Sequence, residues 1–578
     1  MPADALLSTL EQRLELLYPN SAAKVAISIR SLVAEYASSE SFACAESHWS
    51  ERDAILITYA DQIRSADLVP LATLRDWLHT TGLDELLPIV HLLPFCPYSS
   101  DDGFSVIDYL EVDPDTGEWD DIAQLGEHVD LMFDLVLNHI SRESEWFQKY
   151  LVGEAPYDKF FIEVDTAVDL SSVVRPRSLP LLTAVETSRG TQHVWTTFSD
   201  DQIDLNYAEP ELLLRMLRVL LEYAKRGARI VRLDAVAFLW KELGTNCLHL
   251  AQTHEVIKLM REVVADAFPR TILLTETNVP HDENVSYFGA GDEAHLVYQF
   301  ALPPLLLDAF IHGDAVYFRH WLENLDSPPN GCTFLNFTAS HDGIGVRPLE
   351  GLLPDNRFDG VIEAARARGG LINTRRSADG NDIPYEINIT YVDALSPTIE
   401  NELPNDELHA RRFLASQAVM LALPGIPAVY LHSLVGTRND KAGVKSSGLS
   451  RRINRHKYEL IELDSHLVDA ESLAGRIHQG YRRMLEVRRQ HTAFHPDARL
   501  RLLEGFTDTM LAFDRVSLDG NERIVIVANF GDQQAIELSQ LDGPSGGRFR
   551  DLLAGDGTQF HDGLFTLPAG DCAWLLGE

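Results

Sequence analysis

The residues of this chain best suited to chemistry stand at the ends of short apolar runs. Residues 229–240 read RIVRLDAVAFLW, a run of strand formers that carries Arg232 and Asp234. Side chains alternate with period two along a strand, so this arginine and this carboxylate share a face. Taken alone, the pair has two readings. One is a buried ion pair that fixes the strand. The other is a catalytic carboxylate at the mouth of a parallel barrel, kept ionised by Arg232. Further runs repeat the pattern. Asp134, Asn138 and His139 close VDLMFDLVLNH, Glu276 closes TILLTET, and His341 and Asp342 close TFLNFTASHD. In a barrel the strand ends converge on one face, so four such endings together favour a site over four unrelated ion pairs.

Paired carboxylates with no metal motif point to glycosyl transfer. That chemistry needs one ionised carboxylate as nucleophile and one of raised pKa as acid/base. Arg232 suits Asp234 to the first role. Glu276, with apolar neighbours Leu273 and Leu274 and no adjacent cation, suits the second. Sequence spacing does not give the separation of the two, so retention or inversion stays open at this point.

The elements that must position these groups are legible as an alternation. Apolar runs lie at residues 54–61, 86–95, 129–139, 229–236, 271–277, 295–302, 333–342 and 426–431, with helical patterns such as PELLLRMLRVLLEYAKRG between them. Eight strands alternating with helices predict an α/β fold, a (β/α)8 TIM barrel. Two connections are too long for plain loops. The expected organisation is an N-terminal helical extension (1–50), barrel (51–139), inserted domain B (140–207), barrel (208–342), a loop-rich inserted domain B′ (343–395) and barrel (396–492). An all-β C-terminal domain (493–578), read as a sandwich, completes the chain.

The net charge of −38 argues against nucleic acid or an anionic membrane as partner. No apolar run is long enough to span a bilayer, and the first residues, MPADALLSTLEQRLE, lack the basic start of a secretory leader. A cytoplasmic location is the expectation. The five cysteines are scattered, with no C-x-x-C, so neither disulfides nor a zinc centre is expected.

The blocks DLVLNH, VRLDAVAF, LLTET and TASHDG resemble the α-amylase superfamily of retaining glycoside-active enzymes. HLLPFCPYSSDDGFSVIDY, VVRPRSLPLL, YQFALPPLLLDAF, SHDGIGV and INRHKYE tighten the resemblance to its sucrose phosphorylase branch, over about residues 54 to 490. The resemblance implies Asp234 as nucleophile, Glu276 as acid/base and Asp342 as the third carboxylate. It implies that Asp101, Phe104, His139, Phe198, Arg232, His341 and Arg455 hold the donor glucose. It places Arg177, in the R-P-R stretch, on phosphate, with Asn278, Asp382, Tyr385 and Glu386 on the phosphate and acceptor side. The reaction it implies is phosphorolysis of a small α-glucoside to glucose 1-phosphate. No cofactor is implied, because phosphate is itself a substrate, and no metal is implied near Asn138. The partners are then small molecules, and the assembly is a monomer or homodimer.

The acceptor side departs from sucrose phosphorylases. Asn278 and Thr277 replace His and Val, NDIPYEIN replaces a pattern closer to NLDLYQVN, and Phe238 stands at a usual Tyr. These features are more similar to branch members acting on glucosylglycerol or glucosylglycerate. Glu386 suits hydroxyls, and with the acidic composition it makes glucosylglycerol the first expectation. Glucosylglycerate is the alternative, with Arg375 and Arg376 as cations for its carboxylate; sucrose follows. Hydrolysis or transglucosylation on the same scaffold is the competing enzyme class, and a non-catalytic carbohydrate-binding barrel is opposed by the three carboxylates.

Overall fold

Eight parallel strands close into a barrel in the computed structural model, which describes residues 3–36, 48–177, 179–376, 381–399, 402–541, 549–554 and 563–577. They are β1 (Ile55–Thr58), β2 (Ile89–Leu92), β3 (Asp130–Val136), β4 (Ala228–Asp234), β5 (Ile272–Thr275), β6 (Leu296–Tyr298), β7 (Thr333–Phe337) and β8 (Ile426–Tyr430). Each pairs with its neighbours in sequence, and β8 returns to β1. All eight lie in the apolar runs read above. Their side chains are almost all buried, because helices cover the outside and packed residues fill the inside, so the runs are continuous rather than alternating. The helix Pro210–Lys225 shows how the covering layer is encoded. Proline occupies its first turn, and Leu213, Met216, Leu217, Leu220 and Leu221 recur on one buried face.

Register puts the charged residues together. The pairing of β3 with β4 slips by one residue between Leu131 and Met132, after which Asp134 faces Arg232 and Val136 faces Asp234. Without that slip Asp134 would face Val231, on the opposite side of the pleat.

The first insertion carries the hairpin Leu182–Thr187 with Gly190–Trp195, and the strand Gln202–Asp204 paired to His139–Ser141. The second differs from the loop-rich reading. It holds the helix Asp355–Ala367 and a three-stranded antiparallel sheet of Ile344–Gly345, Asp382–Asn388 and Leu371–Arg376. The residues buried there include the polar Glu386, held by Gly343 N and Asn373, and Asn388, so no apolar alternation marks these strands. At the C-terminus a five-stranded antiparallel sheet and a two-stranded ladder enclose Val525, Val527, Ile536, Phe565, Ala573 and Leu575 as a small sandwich. The four cysteines among the described residues are free and buried. No helix among the described residues is long and apolar enough to cross a membrane.

The extension is a helical hairpin, Ala3–Leu17 and Ala22–Tyr36, docked on the outside of the barrel. Leu10, Leu14, Val25 and Ile29 are buried beneath it. Arg13 reaches Glu262 at 2.6 Å, Glu255 at 3.1 Å and Asp292 at 3.3 Å. The Tyr18 hydroxyl donates to Tyr207 O at 2.7 Å, and its ring meets Trp240 just past the end of β4. Arg13→Ala removes the charged clasp while three acidic side chains stay together. We expect a loss of about 1–3 kcal/mol in urea unfolding, with proteolysis in the hairpin preceding cleavage of the barrel.

Candidate active site

The carboxylate-rich half of the cleft is built on β4. Arg232 Nη1 donates to Asp234 Oδ1 at 2.8 Å and also to Asp134, whose other oxygen takes His91 Nε2 at 2.7 Å. All four side chains are buried. The chain then turns through Ala235, which sits in the left-handed region at φ 53°. For a residue with a Cβ that conformation costs on the order of 1–3 kcal/mol. The turn aims the Ala235 N–H at Glu276 Oε2, 3.0 Å away, and so sets the second carboxylate beside the first.

Burial raises the pKa of both Asp234 and Glu276, and nearby carboxylates push each further up against the opposing charge of Arg232. Two such groups in one dry pocket share a proton rather than ionise together. Arg232 hydrogen-bonds Asp234 and not Glu276, so the geometry leaves the negative charge on Asp234 and the proton on Glu276. Asp342 behaves differently. Burial alone would raise it, but Arg451 at 2.6 Å, with His341 and Arg455, holds it well below the usual carboxylate range. Asp342 and His341 lie on the loop beyond the end of β7 at Phe337, not on the strand itself.

Burial lowers His139 to about 4 and His341 to about 3, so both are neutral near neutral pH; the His139 ring is held by Phe104 O and Asn138, while His341 Nδ1 has no protein partner. Phe104 stacks on His341 with centroids 4.7 Å apart, while Phe198 lies against His139 and, edge to face, against Phe238. Asp101 lines the cleft and Asp102 turns away from it; both adopt positive φ. Arg455 stands one layer behind the cleft wall. Its Nε donates to His341 O at 2.7 Å and its Nη1 to Asp102 Oδ2 at 2.8 Å, so it fixes the backbone of His341 and the turn that carries Asp101.

On the other side of the cleft the wall is cationic. Arg177, from the inserted domain, donates to Asp101 at 3.3 Å and lies over the Phe198 ring. Asn278, Tyr385 and Glu386 line the same wall. Asp382, expected here, is exposed and outside it, at the opening of its strand. Arg375 is also elsewhere, paired to Glu350 at 2.9 Å, and the side chain of Arg376 lies outside the described residues. Sequence reasoning missed two arginines that do line the cleft, Arg347 and Arg451. Arg347 directly follows the SHDGIGV block, and Arg451 stands four residues before Arg455, so both sit beside motifs already noticed. Arg451 bridges Asp342 at 2.6 Å and Glu386 at 2.9 Å. Glu386 is thereby spoken for: it also accepts from Gly343 N at 3.1 Å and from Asn373 at 3.1 Å. Two polar atoms near the same wall are buried without a protein partner, Arg347 Nε and Asn278 Oδ1.

Near Asn138, the place of interest for a cation, a side chain supplies the charge. Lys241 Nζ donates to Asn138 Oδ1 at 2.7 Å and lies 2.5 Å from Asp204 Oδ2.

Comparison with known proteins agrees with this geometry. Residues 76–330 match the alpha-amylase catalytic domain. The chain is 49% identical to a glucosylglycerate phosphorylase of Escherichia coli, over 88% of its own length and 89% of the relative's. It belongs to the sucrose phosphorylase branch of the α-amylase superfamily. Within that branch it is 32% identical to a glucosylglycerol phosphorylase of Marinobacter adhaerens, over 71% of this chain and 82% of the other. The crystal structure of sucrose 6F-phosphate phosphorylase from Thermoanaerobacter thermosaccharolyticum superposes with a TM-score of 0.72 at 28% identity, covering 83% of this chain and 94% of that one. The branch consists of glucoside phosphorylases, and the chain is an enzyme of that type.

The division of charge between Asp234 and Glu276 sets a pH profile. With Glu276 as the proton donor to the leaving oxygen, the expected outcome is that kcat/KM falls as pH rises through its raised pKa. Glu276→Gln should lower phosphorolysis by roughly 10²–10⁴-fold and abolish that alkaline limb. An unchanged alkaline limb in the variant would assign it to another group.

Proposed function

We propose that this enzyme is a retaining glucosylglycerate phosphorylase, which reversibly converts an α-glucosylglycerate and phosphate to α-glucose 1-phosphate and glycerate. The observation that carries the reading is Arg347. It lines the acceptor half of the cleft; its Nη2 lies 3.6 Å from Glu283, and its Nε is buried without a protein partner. An acceptor carboxylate supplies that partner, and a guanidinium suits it better than it suits a neutral hydroxyl. The free Asn278 oxygen beside it suits a glycerate hydroxyl. Glycerol is the first expectation on the acidic composition and on Glu386 as a partner for hydroxyls. Glu386 is instead committed to Arg451 and Gly343, and the 49% identity to a glucosylglycerate phosphorylase supports the anionic acceptor over an inference from composition.

In this reading Asp234 attacks the anomeric carbon while Glu276 gives its proton to the departing glycerate oxygen. The resulting glucosyl ester is then opened by a phosphate oxygen, with Glu276 taking up the proton, so configuration is retained over two displacements. Phosphate and glycerate are both anions and approach the same face of the ester, where Arg177, Arg347 and Arg451 await either one. No cofactor takes part.

The test is synthesis from glucose 1-phosphate with glycerate, glycerol, fructose and fructose 6-phosphate offered in parallel. Glycerate should be used far better than the others, and a preference for glycerol would overturn the assignment. Arg347→Ala should raise the KM for glycerate roughly 10- to 100-fold, the loss expected for one hydrogen bond to a charged group, with a smaller effect on kcat.

A further inference from the structure

At the end of the barrel opposite the active site, three metal-ligating side chains from three separate segments converge. His79 lies in the last turn of the helix Pro70–Thr81, Asp84 in the short helix Leu83–Leu86, and His128 between the helix Trp119–Gly126 and β3. One donor atom from each lies within 4.8 Å of the other two. His79 Nδ1 and Asp84 Oδ2 are 3.0 Å apart, and the two imidazole rings lie with centroids 5.0 Å apart, tilted by 41°. We propose that His79, Asp84 and His128 form a binding site for a divalent transition metal of the zinc class.

The frame that holds these donors is stiff. Gly82, in the left-handed conformation at φ 67°, ends one helix and begins the next, which folds Asp84 back onto His79. Arg482 donates to Thr81 O at 2.7 Å and ties that corner to a distant helix. The Glu85 N–H donates to Asp84 Oδ1 at 3.0 Å, so one oxygen is held while the other faces His79. The backbone of His128 is fixed by its N–H on Leu125 O at 3.1 Å. Among the described residues no lysine or arginine pairs with Asp84, so its charge is not already neutralised by a side chain.

The donor chemistry selects the ion. Two ligands each about 2.1 Å from a tetrahedral ion stand roughly 3.4 Å apart, close to the His79–Asp84 spacing already present. His79 is two-thirds exposed, so a side-chain rotation closes the rest. Two imidazole nitrogens and one carboxylate favour zinc, copper or nickel over calcium or magnesium, which prefer all-oxygen sites. Three protein ligands leave a position for water, so the ion exchanges with solvent rather than being locked in. The net charge of −38 adds a general attraction for cations. Bound metal would join the helix before β2 to the chain entering β3, far from the carboxylates of the catalytic face.

The experiment uses the full-length protein freed of metal with a chelator near neutral pH. Zinc is titrated by calorimetry into the wild type, His79→Ala, His128→Ala and Asp84→Asn, and copper(II) is added in parallel for electron paramagnetic resonance. The wild type should bind one equivalent more tightly than any background, and zinc should raise its unfolding midpoint. Each variant should bind that equivalent at least tenfold more weakly and lose the midpoint shift, while glucoside phosphorolysis stays at the wild-type rate in all. The copper spectrum should show coupling to two nitrogens in the wild type and one in either histidine variant. Equal zinc stoichiometry and affinity in the wild type and His128→Ala would overturn the proposal, as would a copper spectrum that the histidine substitutions leave unchanged.

Discussion

A single buried guanidinium, that of Arg232, has to satisfy two carboxylates at once, and the site takes its shape from that demand. Arg232, Asp134 and His91 are taken out of water together. Burying charge is costly unless every member is paired, so the strands must hold their register closely. The slip between β3 and β4 that places Asp134 opposite Arg232 is part of this arrangement. Phe104 and Tyr298 lie over or beside the guanidinium and close the remaining space. What results is a fixed positive charge at the end of β4, and from it follows which of the two catalytic carboxyls keeps its proton.

A second cation organises the other half of the cleft. Arg451 joins Asp342, which belongs to the sugar side, to Glu386, which belongs to the inserted sheet. The close packing around Gly343 and Gly345 makes this junction possible. A Cβ on Gly343 would meet the Glu386 side chain at 2.6 Å, and one on Gly345 would meet Asn278 at 2.4 Å. The loop carrying Asp342 and the sheet carrying Glu386 are therefore mechanically joined through one arginine, while Asp234 stays with Arg232.

The barrel strands and the three carboxylates that meet in the cleft, Asp234, Glu276 and Asp342, were legible in the sequence because each depends on local pattern. A buried parallel strand is a continuous apolar run, and a charged residue at its end stands out. The acceptor side was harder to read. Arg347 and Arg451 come to line the cleft only when the second insertion folds against the loop carrying Arg451, where Arg451 meets Glu386 from a distant segment. The family resemblance of its loop points Asp382 to the acceptor side, and nearness in sequence points Arg375 there. The sheet sends them outward instead, because neighbouring residues on a strand face opposite sides and these lie toward its open end. Glu386 was recognised as important, yet its partners, which decide whether it greets a substrate or an arginine, come from three other segments. Lys241 escaped notice for the same reason, since its partners Asn138 and Asp204 are far away in sequence.

The account rests most heavily on Asp234 as the ionised member of the carboxylate pair, and trapping the glucosyl ester tests this directly. Glu276→Gln protein can be loaded with α-glucosyl fluoride, whose leaving group needs no acid, then quenched and mapped by peptide mass spectrometry. The account predicts one glucosyl unit on the peptide containing Asp234, discharged by added phosphate to α-glucose 1-phosphate. Label on a peptide containing Asp134 or Asp342 instead, or turnover of the fluoride by an Asp234→Ala enzyme at the wild-type rate, would contradict it.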